Sequence, residues 1–275
     1  MENPDRAQDR APDHAGDDAG EVGVSREGHV ATVLLRRPPN NHLDLPSLVA
    51  IAEALEALDR DPDCRAVVLA AEGRHFCAGA DLANRAPGAG VPRDERTGRT
   101  LYREAARLLR TRKPVVAAVH GAAIGAGLGL ACTADFRVTC AEARFAANFA
   151  RLGFHPGFGL TALLPRLVGA QRAALLFYTG RRIGGEEAAA IGLADRLVPQ
   201  AEVRAAAAAL AHEIAGSAPL AVQGVRETLR RGLADEYERA TEREFEQQAW
   251  QRQTEDYREG VRAMAERREP VFKGG

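Results

Sequence analysis

The feature that most restricts the fold is the alternation of short apolar runs with segments of helical periodicity. Val22 and Val24, then Val30, Thr32, Val33, Leu34 and Leu35, predict two strands joined by a polar turn at Glu27 and Gly28, with Pro38 and Pro39 ending the second. Leu48, Ile51, Leu55 and Leu58 recur at three- and four-residue spacing, which predicts an amphipathic helix to about Asp59. A buried strand over Ala66 to Ala70 follows, then a glycine-containing loop over 73–99 and a helix from Thr100 to Thr111. The cycle repeats with a strand over Val115 to Val119, a glycine-rich turn, another helix and a strand over Phe136 to Thr139. This order predicts an α/β fold with crossover connections.

Beyond Ala170 the pattern turns helical, with helices near 201–215, 219–231, 236–253 and 256–267 and a single strand-like segment from Arg196 to Val198. A helical end on an α/β body is an α+β distribution within one unit. The reading is therefore one domain over 21–275, a core to about 200 and a helical region after it. Residues 1–20 carry six acidic side chains and two arginines with no large apolar anchor, which predicts a disordered acidic extension.

With 37 Lys plus Arg against 38 Asp plus Glu, the formal net charge is −1, so no global positive field gathers nucleic acid or an anionic membrane. Cys64, Cys77, Cys132 and Cys140 lack the paired short spacings of a zinc site or a disulfide framework and read as reduced thiols. No apolar run approaches the roughly 20 residues of a membrane span, and a cytoplasmic protein is expected.

Two stretches stand out. His75-Phe76-Cys77-Ala78-Gly79-Ala80-Asp81-Leu82 follows a strand, and its small residues let a ligand approach main-chain N–H groups. A tight turn with Asp81 capping a helix explains the same residues. His120 to Ala131 again lies between strand and helix. Its Gly125-Ala126-Gly127 falls short of a dinucleotide fingerprint, because the third glycine position is Leu130. A helix N-terminus wrapped in small residues remains, offering unpaired N–H donors to negative charge. Two such turns on neighbouring strands could form an oxyanion hole at a carbonyl.

These residues resemble the crotonase (enoyl-CoA hydratase/isomerase) superfamily from about Glu21 to the C-terminus. The resemblance is carried by Phe76 to Leu82 and Val119 to Gly127 together, with Gly153-Phe154-His155-Pro156-Gly157-Phe158-Gly159, Leu164 to Gly169, Thr179-Gly180-Arg181 and a tail of Glu259, Gly260, Arg267, Arg268, Pro270 and Phe272. It implies a spiral of ββα units with helices that assemble a homotrimer or a hexamer. It also implies an acyl-CoA thioester partner, coenzyme A entering as part of the substrate, and no permanently bound cofactor or metal. Carried over by position, the backbone N–H groups of Ala80 and Ala126 would hold the thioester oxygen. Ala78, Ala80 and Leu82 would flank the coenzyme, with His42 near its nucleotide, and Phe272 and Lys273 would reach the coenzyme of a neighbouring subunit.

The resemblance breaks at the proton carriers. The two glutamate positions of the family's hydratases fall on Gly129 and Phe149, neither of which transfers a proton. His155 is a candidate substitute, with an imidazole suited to proton transfer near neutrality, although a lone histidine is as readily a packing residue. Asp81 is a second candidate beside its capping role. Asp94, Glu95, Arg96, Arg99 and Tyr102 would line the acyl end, and His75 and His120 flank the donor turns. Activity of the enoyl-CoA hydratase/isomerase type is expected. Another thioester reaction, such as isomerisation, decarboxylation or hydrolysis, and non-catalytic acyl-CoA binding stay open.

Overall fold

A computed structural model describes residues 21–80, 93, 95, 96 and 98–275. The acidic extension at 1–20 and the candidates Asp81 and Leu82, with Asp94, lie outside the described residues. Strands β1 (Val22–Glu27) and β2 (Val30–Leu35) form an antiparallel hairpin. To β2 the chain adds β3 (Ala66–Ala71), β4 (Val115–Val119), β6 (Phe136–Thr139) and β9 (Arg196–Leu197), all parallel, in the order β1-β2-β3-β4-β6-β9. Every residue of β3 is buried, as expected of a parallel strand covered on both faces.

Helix α1 (Leu45–Arg60) starts where the sequence supplies a reciprocal cap. The Asp44 carboxylate accepts from the Ser47 N–H at 2.9 Å, and the Ser47 hydroxyl receives the Asp44 N–H. It packs on β2 and on α2 (Leu101–Arg110). The alternation read from the sequence is thus the architecture of the larger sheet.

A second sheet was not legible. Strands β5 (Ala122–Ile124), β7 (Arg144–Ala146) and β8 (Arg182–Gly184) pair in the order β5-β7-β8. Each has three residues, too few for a period of two to register. Helix α3 (Ala126–Thr133), buried along its whole length, grows directly from the end of β5. Helices α4 (Leu160–Val168), α5 (Ala170–Thr179) and α6 (Gly185–Ala190) follow.

The helical end is less separate than its composition suggests. Helix α7 (Val203–Ala215) buries Val203, Ala207, Leu210, Ala211 and Ala215 against β3, β4 and β6 of its own chain. Ala207 of the alanine run 205–209 packs on the sheet, while Ala205 and Ala209 are exposed. Helices α8 (Pro219–Leu229), α9 (Leu233–Gln251) and α10 (Glu255–Glu266) complete the chain. Among the described residues no single helix is long and apolar enough to cross a membrane.

Helix α9 carries the buried carboxylate that ties it to α4. Glu244 accepts from the Gly159 N–H at 2.8 Å, the Thr161 N–H at 3.0 Å and the Thr161 hydroxyl at 2.6 Å, satisfying donors at the start of α4. Burial nevertheless raises its pKa to about 7. Between the ordinary carboxylate value and about 7 the folded chain keeps a proton that the unfolded chain has released. The stability contributed by this group therefore falls as pH rises through that window and is level on either side. Glu244→Gln, neutral at all pH, is expected to flatten that slope, measured as a smaller difference in urea midpoint between about pH 5 and about pH 8 than in the parent.

Candidate active site

The two small-residue turns meet through main-chain contacts. The Cys77 N–H donates to the Ala122 carbonyl at 2.9 Å, and the Ile124 N–H donates back to the Cys77 carbonyl at 3.0 Å. The approach is close enough that a β-carbon at Gly127 would fall 2.0 Å from the Cys77 carbonyl oxygen, so position 127 admits only glycine. Gly79, at φ +95°, turns its bare α-carbon toward the Ile124 carbonyl and the Ala126 nitrogen. A β-carbon there would sit 2.7 Å from the oxygen and 3.8 Å from the nitrogen.

Ala80 and Ala126 consequently border one cleft of about 1130 Å³. No acceptor among the described residues takes the N–H of Ala80 or of Ala126. Ala126 is the first residue of α3, where N–H groups have no intrahelical partner and the helix dipole is positive. Ala78 also borders the cleft, but its N–H donates to the Asn40 carbonyl. His42 lies at the mouth with Nδ1 3.2 Å from the Gly79 carbonyl oxygen, which also accepts from the Leu43 N–H. Arg37 fixes this rim, with its guanidinium 2.8 Å from Asp44 and donating to the His42 carbonyl.

His75 borders the cleft too. Its Nδ1 is buried without a hydrogen-bond partner among the described residues, and burial, ahead of Arg74, His120 and His42, lowers its pKa. His120 instead has Nε2 2.9 Å from the Gly73 carbonyl oxygen, a structural contact.

The structure does not bring His155 to the donor turns. Its ring borders a separate cavity of about 580 Å³, with Nδ1 2.8 Å from the Pro156 carbonyl oxygen. Nor does it stand at a helix start, since α4 begins at Leu160. Phe272 and Lys273, expected to reach the coenzyme of a neighbouring subunit, do not line this chain's own cleft. Their segment lies along α10, where Asp256 accepts from the Lys273 N–H at 2.7 Å and the Gly274 N–H at 2.9 Å.

At positions 129 and 149, which the resemblance assigns to the family's glutamates, aromatic rings take the space. Phe149 borders the cleft, and its ring tip would lie 3.7 Å from a β-carbon at Gly125. The ring meets Phe154 edge-on at 5.5 Å, and Phe154 meets Tyr257 in the same way at 5.5 Å. Gly129 is bare because the fully buried Phe158 ring takes the space. A β-carbon there would fall 2.5 Å from Phe158 Cδ1. Of the charged loop expected at the acyl end, Tyr102 alone among the described residues borders the cleft, and its hydroxyl donates to Gln248 Oε1 at 3.1 Å. Gln248 and Arg252, also at the cleft, were missed by sequence reasoning, because their positions on and after α9 read as the polar side of a surface helix.

The sequence profile of the enoyl-CoA hydratase/isomerase family matches residues 25–275. The chain is 38% identical over 253 residues to a Thermus thermophilus protein provisionally named an enoyl-CoA hydratase, spanning 90% of this chain and 98% of that one. It is 33% identical over 256 residues to the carnitinyl-CoA dehydratase of Salmonella heidelberg, spanning 91% and 97% respectively. The crystal structure of an enoyl-CoA hydratase/isomerase from Pseudoalteromonas atlantica T6c superposes with a TM-score of 0.81 at 30% identity, over 92% of this chain and 100% of that one.

If Phe158 is what excludes a side chain at position 129, Gly129→Glu should cost about 2–3 kcal/mol by overpacking. Combining it with Phe158→Ala should leave the double variant more stable than the two single losses together predict, by on the order of 1 kcal/mol in urea unfolding.

Proposed function

The chain belongs to the enoyl-CoA hydratase/isomerase family, whose members act on acyl-CoA thioesters, and we propose that its cleft binds such a thioester and stabilises the derived enolate between the N–H groups of Ala80 and Ala126. What carries this reading is a pair of main-chain donors at the edge of one cleft with no acceptor among the described residues. Such donors are already oriented when negative charge develops on the oxygen, which is why they favour the transition state over the ground state. Ala78 and His42 would flank the coenzyme near the mouth.

Hydration driven by two enzyme carboxylates is not part of the proposal. Glycine and phenylalanine at the two positions, with Phe158 filling the first, leave neither a base for water nor an acid for the α-carbon there. The reaction is instead one in which the proton or electron pair comes from elsewhere in the cleft or from the substrate, as in isomerisation or decarboxylation. The same apolar positions support a second reading, acyl-CoA binding without turnover.

Assembly into a homotrimer or a hexamer of two trimers belongs to the proposal as well. Exposed apolar side chains such as Leu175 and Tyr178 on α5 and Val225 and Leu229 on α8 support it. Four free, buried thiols suit a reducing, cytoplasmic setting.

Acetoacetyl-CoA tests the donors without requiring a catalytic base, because its enolate has its own absorption band. The band is expected to grow on binding. Ala126→Pro, which deletes the donor at a helix position that tolerates proline, should weaken enolate binding on the order of 10²-fold or more. A band indifferent to that change sinks the oxyanion assignment. Crotonyl-CoA hydration is expected to run slower by about 10²–10⁴-fold for each missing proton-transfer role than in a hydratase with both carboxylates. Enolate stabilisation with no turnover of any acyl-CoA selects the binding-only reading.

A further inference from the structure

Resting on the acyl-CoA reading above, we infer that the acyl group carries a carboxylate remote from the thioester and that Arg252 binds it. Beyond the donor turns the cleft is walled by Phe149 and Phe154, and the Arg252 guanidinium carbon lies over the Phe154 ring, 5.2 Å from its centroid. One guanidinium N–H donates to Gln248 Oε1 at 2.7 Å, the oxygen that also receives the Tyr102 hydroxyl. The Nε–H is buried with no hydrogen-bond partner among the described residues.

No described carboxylate lies within 4.0 Å of Arg252. The acidic side chains among the described residues bordering the cleft are Glu21 and Asp44, both paired with Arg37 at the mouth. Among the described residues the acyl end therefore presents a fixed cation with an unsatisfied donor and no anion. An unmade hydrogen bond on a buried donor of a half-buried guanidinium is costly, and the cost is relieved when a ligand supplies the acceptor. A carboxylate meets that requirement best. It brings the opposite charge, and its two oxygens match the Nε and Nη edge of a guanidinium. Stacking on Phe154 and the bond to Gln248 hold the planar group in place, so little ordering is left for binding to accomplish.

The test compares glutaryl-CoA with pentanoyl-CoA by titration calorimetry on the full chain. The two acyl groups have the same number of carbons and lack the double bond that could react, and they differ in the terminal carboxylate. Glutaryl-CoA is expected to bind about tenfold tighter or better, the scale of a charge-assisted hydrogen bond. Arg252→Met should bring the ratio of the two affinities to about one, while Arg252→Lys, with charge but no fork, should retain part of the preference. Equal binding of the two ligands to the parent protein overturns the inference and leaves the acyl-CoA reading standing, and so does a preference that survives Arg252→Met. Failure of both ligands to bind overturns the acyl-CoA reading and this inference together.

Discussion

The pair of main-chain hydrogen bonds between Cys77 and the strand Ala122–Ile124 is the contact on which the site depends. It locks the turn after β3 to the turn before α3, although more than forty positions separate them in sequence. With neither strand able to slide, Ala80 and the first residue of α3 must emerge beside each other. Gly79 and Gly127 are consequences of that clamp, since each presses a bare α-carbon against a carbonyl of the other segment. The donors are therefore as rigid as the sheets behind them, which is what preorganised stabilisation of an oxyanion requires.

Much of this was legible because it is written in local chemistry. Small residues between an apolar run and a helix mark a strand-to-helix turn with exposed N–H groups, and both turns read that way. The larger sheet followed from apolar runs long enough to show their period. The second sheet was not legible, since its three-residue strands carry no period, and its existence is decided by what Cys77 and α3 pack against. His155 shows the opposite failure. Its residue type suited proton transfer, but which cavity its ring borders is set by the turn after Leu152 and by Gln251, neither of which its sequence neighbourhood discloses.

Arg252 and Gln248 were invisible for a related reason. On a helix with alternating charges a polar residue reads as solvated, and only the packing of α9 against α2 and α4 turns these two toward the cleft. Glu244 belongs to the same set. Its role in holding the start of α4 depends on Gly159 and Thr161, some eighty positions earlier in the chain. Helix α9 thus shapes this part of the molecule twice, by placing Gln248 in the cleft and by fixing the segment that delivers Phe158 to Gly129.

The aromatic wall changes what the donors can do. Hydrogen bonds to a developing oxyanion strengthen as water is excluded, so in the proposed reaction the apolar surface of Phe149 and Phe154 would raise the value of the Ala80 and Ala126 amides. In the proposed reading water addition would suffer twice, from the lack of a carboxylate at positions 129 and 149 and from the apolar surface where the nucleophile would have to stand. A substrate that brings its own charge into the cleft suffers least, provided a cation meets it. The proposed donor pair and the stacked guanidinium, which meets no carboxylate among the described residues, are therefore coherent: one end of the cleft would stabilise charge that appears during reaction, and the other would select a guest that arrives already charged.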